Sequence, residues 1–175
     1  VGNLIGQTKE WHGISQSTTG LIFYSTPFRG AGGMSPSEML QAALSEYERE
    51  EVHTEVLNVL NPGNELLHDL VDGFGKTRSL PNKARVACFS ELQPSNVEAI
   101  VGKQQKTRLV VSESAGCLDV SEANEKYSLE RSHSNISKSG KPLEKDFPTV
   151  SEVADRMARA APGLLLMRHH HEQGL

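Results

Sequence analysis

Ser112-Glu113-Ser114-Ala115-Gly116 is one glycine short of the Gly-x-Ser-x-Gly turn that presents a nucleophilic serine at a strand end. Asp119 and His133 come after it in the order of a Ser-acid-His triad. Such a set would carry out acyl transfer. The serine attacks, the imidazole takes its proton, and the acid holds the imidazole in place. Against this, the turn must lead into a well-formed helix, and residues 117–132 make a poor one. Without that pattern, His133 reads as an ordinary polar loop histidine.

Three other groups read more plainly. Gly73-Phe74-Gly75-Lys76-Thr77 lacks the glycine that a phosphate-binding loop needs at position 70, where Leu70 stands, and Pro81 blocks the helix that should come next. It reads as a helix end. His169-His170-His171 are adjacent, and adjacent residues do not easily converge on one ion, so they read as a polar tail. Cys88, Cys117 and His133 lack zinc-site spacing. No metal and no cofactor is expected.

The elements that would position these residues show in the patterning. Leu21–Tyr24 is a short apolar run suited to a buried strand. Gly30, Gly32 and Gly33 form a loop after it. Ser35-Pro36-Ser37-Glu38 is a capping box opening a helix, with Leu40, Ala43, Leu44, Tyr47, Val52, Val56 and Leu60 at helical spacing as far as Asn61-Pro62-Gly63. Leu66, Leu67, Leu70, Val71 and Phe74 mark a second helix capped by Gly75. Arg85–Phe89 and Arg108–Val111 are strand candidates, and residues 116–147 read as a long loop. Thr149-Val150-Ser151-Glu152 opens a last helix, which Pro162-Gly163 should end. This order predicts an α/β architecture with a mostly parallel sheet.

Composition narrows the function. With 175 residues and a net charge of −4, the chain has no basic face for nucleic acid. The mean hydropathy of −0.42 fits the lack of any apolar run able to span a bilayer. Two cysteines make no disulfide framework and read as buried hydrophobes of a reducing compartment. Val1 is no initiator Met, so a fragment, a processed product or a poorly delimited gene model is expected. Val1–Gly6 lacks the basic and long apolar regions of a signal peptide, which with the cysteine usage makes a cytoplasmic location the expectation.

Several segments carry a resemblance. Gly20-Leu21-Ile22-Phe23-Tyr24-Ser25-Thr26-Pro27-Phe28-Arg29-Gly30 is similar to the segment GIIFLGTPHRGS of a lipase-like serine-esterase family. Asn64–Phe74 resembles that family's leucine-rich helices, and Cys88-Phe89-Ser90-Glu91 its strand end SFYE. Leu109–Leu118 resembles its LVV strand with the Ser-Ala-x-Leu segment beyond it, and Ser132–Lys138 its histidine loop. In this order, over residues 17–160, the chain resembles the C-terminal half of the SERAC1-like or PGAP1-like α/β-hydrolase domain. In fungi such domains are found at the N-terminus of NACHT, NB-ARC and ankyrin-repeat proteins. Phe28 stands where the family has His, and Ser139 where it has Phe.

The resemblance implies an incomplete α/β-hydrolase over residues 19–161, between an irregular segment 1–18 and a flexible tail 162–175. It implies Glu91 as the triad acid and His133 as the base. Its nucleophile would lie in a Gly-x-Ser-x-Gly turn before Gly20, where this chain has only Gly13-Ile14-Ser15-Gln16-Ser17. The expected function is therefore a serine-esterase part that supplies acid and histidine and is inactive alone. The alternative is a degenerate hydrolase-like module for signalling or protein interaction in a fungal receptor. An ester or lipid substrate is implied, with room for a protein partner at an open sheet edge. The resemblance also leaves room for mitochondrial or endoplasmic reticulum association.

Overall fold

The computed structural model describes residues 13–14, 16–46, 48–77, 83–97, 107–118, 124–139 and 141–172. The expectations for most of segment 1–18, and for Tyr47, Pro81 and Asp119, lie outside the described residues.

Three strands build the main sheet: β1 (Gly20–Tyr24), β2 (Arg85–Glu91) and β5 (Asn124–Leu129), in that spatial order and all parallel. Between β2 and β5 in sequence, β3 (Ser95–Asn96) and β4 (Thr107–Arg108) form a small antiparallel ladder. The class is α/β with a mostly parallel sheet, as the element order predicts.

Alternation along the strands sorts the core onto two faces. Val86 and Cys88 of β2 pack with Leu21 and Phe23 of β1, and with Val71 and Phe74 of helix α3 (Glu65–Thr77). On the opposite face lie Ala87, Phe89, Ile22, Tyr24, Tyr127 and Leu129, covered by Val150, Val153 and Met157 of helix α5 (Phe147–Glu172). The register sets Tyr24 beside Phe89 and Phe89 beside Tyr127. Their rings stack at 5.3 and 5.1 Å, so one aromatic row ties the three strands together.

A third cluster sits at the C-terminal end of the sheet. Ala31, Met39, Val97, Val110, Val111 and Ala115 are buried there, with Leu57 and Leu60 packed against them. Helix α1 (Pro36–Glu46) begins with the expected capping box. Glu38 N–H donates to Ser35 Oγ, and the Glu38 carboxylate accepts from Ser35 N–H at 2.6 Å.

Four expectations are corrected. The helix expected to run from Ser35 to Leu60 is broken: α1 ends at Glu46, a 3-10 turn spans Arg49–Glu51, and helix α2 covers Thr54–Val59. Glu48 N–H donates to the Glu51 carboxylate at 3.2 Å, a local capping contact that competes with helix propagation. The strand expected at Arg108–Val111 reaches only Arg108, because the next amides have another acceptor. β5 falls inside the expected long loop. As an edge strand it turns its more polar positions outward and needs no apolar run. α5 continues through Pro162 to Glu172. Proline removes one amide donor, but Ala160, Ala161 and Leu164–Met167 are strong helix formers on both sides.

Ser25 ends β1 with φ at 38°, a left-handed backbone that costs a side-chain-bearing residue about 1–2 kcal/mol. Its hydroxyl is buried with no hydrogen-bond partner among the described residues. Ser25→Gly removes both penalties, against the about 0.5–1 kcal/mol that glycine loses in backbone entropy. A urea titration should show Ser25→Gly stabilised by about 1 kcal/mol. A fall in stability would mean the serine is held there by something other than this geometry.

Candidate active site

Glu91 is the last residue of β2, and its side chain is 0% exposed. A carboxylate taken out of water must be met by donors. Oε1 accepts from Val110 N–H at 2.5 Å and from Val111 N–H at 3.1 Å. Oε2 lies 3.0 Å from His133 Nδ1. An ionised carboxylate only accepts, so Nδ1 carries the proton in this contact, and the neutral ring keeps its lone pair on Nε2. The His133 side chain is 37% exposed, so a reacting group can reach it. Nε2 has no hydrogen-bond partner among the described residues.

His133 opens a 3-10 turn, His133–Asn135, four residues after the end of β5. Its backbone N–H donates to Ser95 Oγ of β3 at 3.2 Å. Arg131 anchors the turn. Its own N–H donates to Leu129 O at 2.7 Å, and its carbonyl accepts from Gln93 N–H at 3.1 Å. Its guanidinium donates to the carboxylates of Glu144 and Asp146, and to the carbonyls of Asn135 and Lys138. The hydrogen bond to Glu144 first, then that to Asp146, holds the guanidinium above its ordinary pKa. These contacts tie both ends of the histidine loop to the segment leading into α5.

The structure thus brings Glu91 and His133 together across 42 residues of chain. Among the described residues, no hydrogen bond joins Ser114 to either of them. Ser114 is exposed in a single helical turn, α4 (Glu113–Gly116), where its hydroxyl shares a hydrogen bond with that of Ser112 at 3.1 Å. Ser112 caps the turn, accepting from Ala115 N–H. Gly73–Thr77 lie within α3, where their amides serve the helix rather than a phosphate. Cys88 and Cys117 are both buried in the core. His169, His170 and His171 are on the last turns of α5, with His169, His170 and His171 all exposed. Among the described residues, no three His, Cys, Asp or Glu side chains gather for a metal. No helix there is long and apolar enough to cross a membrane.

Sequence reasoning missed the supports of the pair. The Val110 and Val111 amides carry no residue-type signal, since any backbone would serve. Arg131 stands two residues before His133, but its partners at 144 and 146 obey no local spacing. Compared with known proteins, the chain matches no family model, no curated protein and no solved structure.

Arg131→Met removes all four guanidinium contacts and leaves two carboxylates without their cation. Stability should fall by about 2 kcal/mol. Amide exchange should quicken at Ile136 and Lys138, whose N–H groups bond back to His133 and Asn135. Unchanged exchange at these two amides would mean the turn is held without Arg131.

Proposed function

We propose that this chain supplies the acid and base of a serine esterase or lipase-like α/β-hydrolase, with Glu91 as the acid and His133 as the base. The observation that carries the reading is the 3.0 Å contact between His133 Nδ1 and a fully buried Glu91 carboxylate. The placement supports it further. The acid ends β2 and the base follows the neighbouring parallel strand β5, in the order acid then histidine, at the C-terminal end of one sheet. Ser25 adds a second point. It takes a left-handed backbone at the position where the related segment GIIFLGTPHRGS has glycine.

The geometry supports the following chemistry. A serine hydroxyl brought to about 3 Å from Nε2 would lose its proton to the imidazole as it attacks an ester carbonyl. Glu91 would hold the ring in the Nδ1–H tautomer and stabilise the imidazolium formed. The imidazolium would then return its proton to the leaving alkoxide, and an acyl-enzyme would remain for water to hydrolyse. On this reading the nucleophile is the serine of a Gly-x-Ser-x-Gly turn before Gly20, a pattern that residues 1–19 do not contain.

Hydrolysis of a short-chain p-nitrophenyl ester tests the reading. The 175-residue chain should show no turnover above its His133→Ala variant. In a polypeptide that also carries a Gly-x-Ser-x-Gly turn before Gly20, His133→Ala should lower kcat by about 10⁴-fold or more, and Ser114→Ala should leave it unchanged. In that longer polypeptide, turnover indifferent to His133 would refute the assignment. Turnover lost in Ser114→Ala would move the nucleophile to Ser114.

A further inference from the structure

Glu91 can face His133 only if its other oxygen is held, and the holders are backbone amides of the segment after β4. Their placement depends on how closely that segment approaches the loop after β1. At Gly33 the approach leaves no room for a side chain. A Cβ there would stand 1.9 Å from Leu109 O and 2.7 Å from both Leu109 C and Val110 Cα. All three are backbone atoms and cannot swing aside as a side-chain end can. The Gly33 amide also donates to Val110 O at 3.1 Å, so Gly33 meets both the Leu109–Val110 peptide and the Val110–Val111 peptide, the two units that carry the Val110 and Val111 amides. Gly32, one residue earlier, is unlike it. A Cβ there meets only Pro62 Cγ, at an ordinary 3.7 Å.

We propose that Gly33 is a positioning residue for the acid–base pair. Its missing Cβ lets Leu109 and Val110 seat against it, which aims the Val110 and Val111 amides at Glu91 Oε1 and leaves Oε2 for His133 Nδ1. This rests on Glu91 and His133 being the working pair. Gly33 touches neither the pair nor any reacting atom. Its effect passes through two amides, and it shows in the tautomer of a histidine on a different loop.

The test is nitrogen NMR of the His133 ring at neutral pH in the wild type, Gly33→Ala, Gly32→Ala and Glu91→Gln. The wild type and Gly32→Ala should show the Nδ1–H tautomer. Gly33→Ala should lose that uniform tautomer, with the Val110 and Val111 amide protons moving upfield as their charged acceptor is withdrawn. A folded Gly33→Ala protein with the His133 signals of the wild type overturns the proposal.

Amide exchange keeps the test decisive should Gly33→Ala fail to fold. Coupling between sites is reciprocal. Glu91→Gln should therefore quicken exchange at the Gly33 amide together with Val110 and Val111. A Gly33 amide that stays unmoved while those two change overturns the proposal. The underlying reading fails separately: then Glu91→Gln itself leaves the His133 tautomer as in the wild type.

Discussion

One buried carboxylate organises the C-terminal end of the sheet. Glu91 has no exposed side-chain surface, and an unpaired charge there would cost several kcal/mol. Three donors from two separate segments answer it. Meeting that demand draws the chain after Arg108 out of its ladder and against the end of β2. It also draws His133 inward, although the turn that carries the histidine is a surface turn. The pairing of acid and base is in this sense a consequence of solvation. Burying the acid makes an oriented imidazole one of the few ways to complete its shell.

The rest of the fold holds the strand ends still. Parallel pairing places the C-terminal ends of β1, β2 and β5 at one edge of the sheet, so the loops beyond them converge there. The Tyr24–Phe89–Tyr127 row locks the register just before that edge. A one-residue slip would turn every ring to the opposite face. Below the row, α5 spans the sheet, with Val153 and Met157 in the core and Arg156 reaching Glu125 and the Tyr127 hydroxyl at its margin. Arg131 then ties the histidine turn to the segment leading into α5, and Gly33 donates to Val110 O beside the segment that holds Glu91.

Elements are legible in the sequence where their signals are local. Apolar runs reveal β1 and β2 because those strands are packed on both faces. The Ser35–Glu38 capping box shows because it is complete within four residues. Glu91 and His133 are legible only through resemblance, since nothing in their spacing of 42 residues distinguishes a pair from two unrelated polar residues. β5 is hidden because Asn124, Lys126 and Ser128 are polar at an edge that tolerates polarity. Leu109–Val111 read as a strand for a physical reason. Their composition suits a ladder, but a carboxylate fixed by tertiary structure claims the amides. The continuation of α5 past Pro162 reflects helix formers on both sides outweighing one lost donor.

The central claim is that Glu91 and His133 are energetically coupled, and a double-mutant cycle measures this most directly. The cycle uses Glu91→Gln, His133→Gln and the double variant, with unfolding free energies from urea titration. Residues in one hydrogen-bonded network show coupling of about 0.5–3 kcal/mol. The account predicts a favourable coupling within that range, with the double variant losing less than the two single losses combined. Strict additivity of the two losses would contradict it, leaving a buried carboxylate and a surface histidine that only happen to be near.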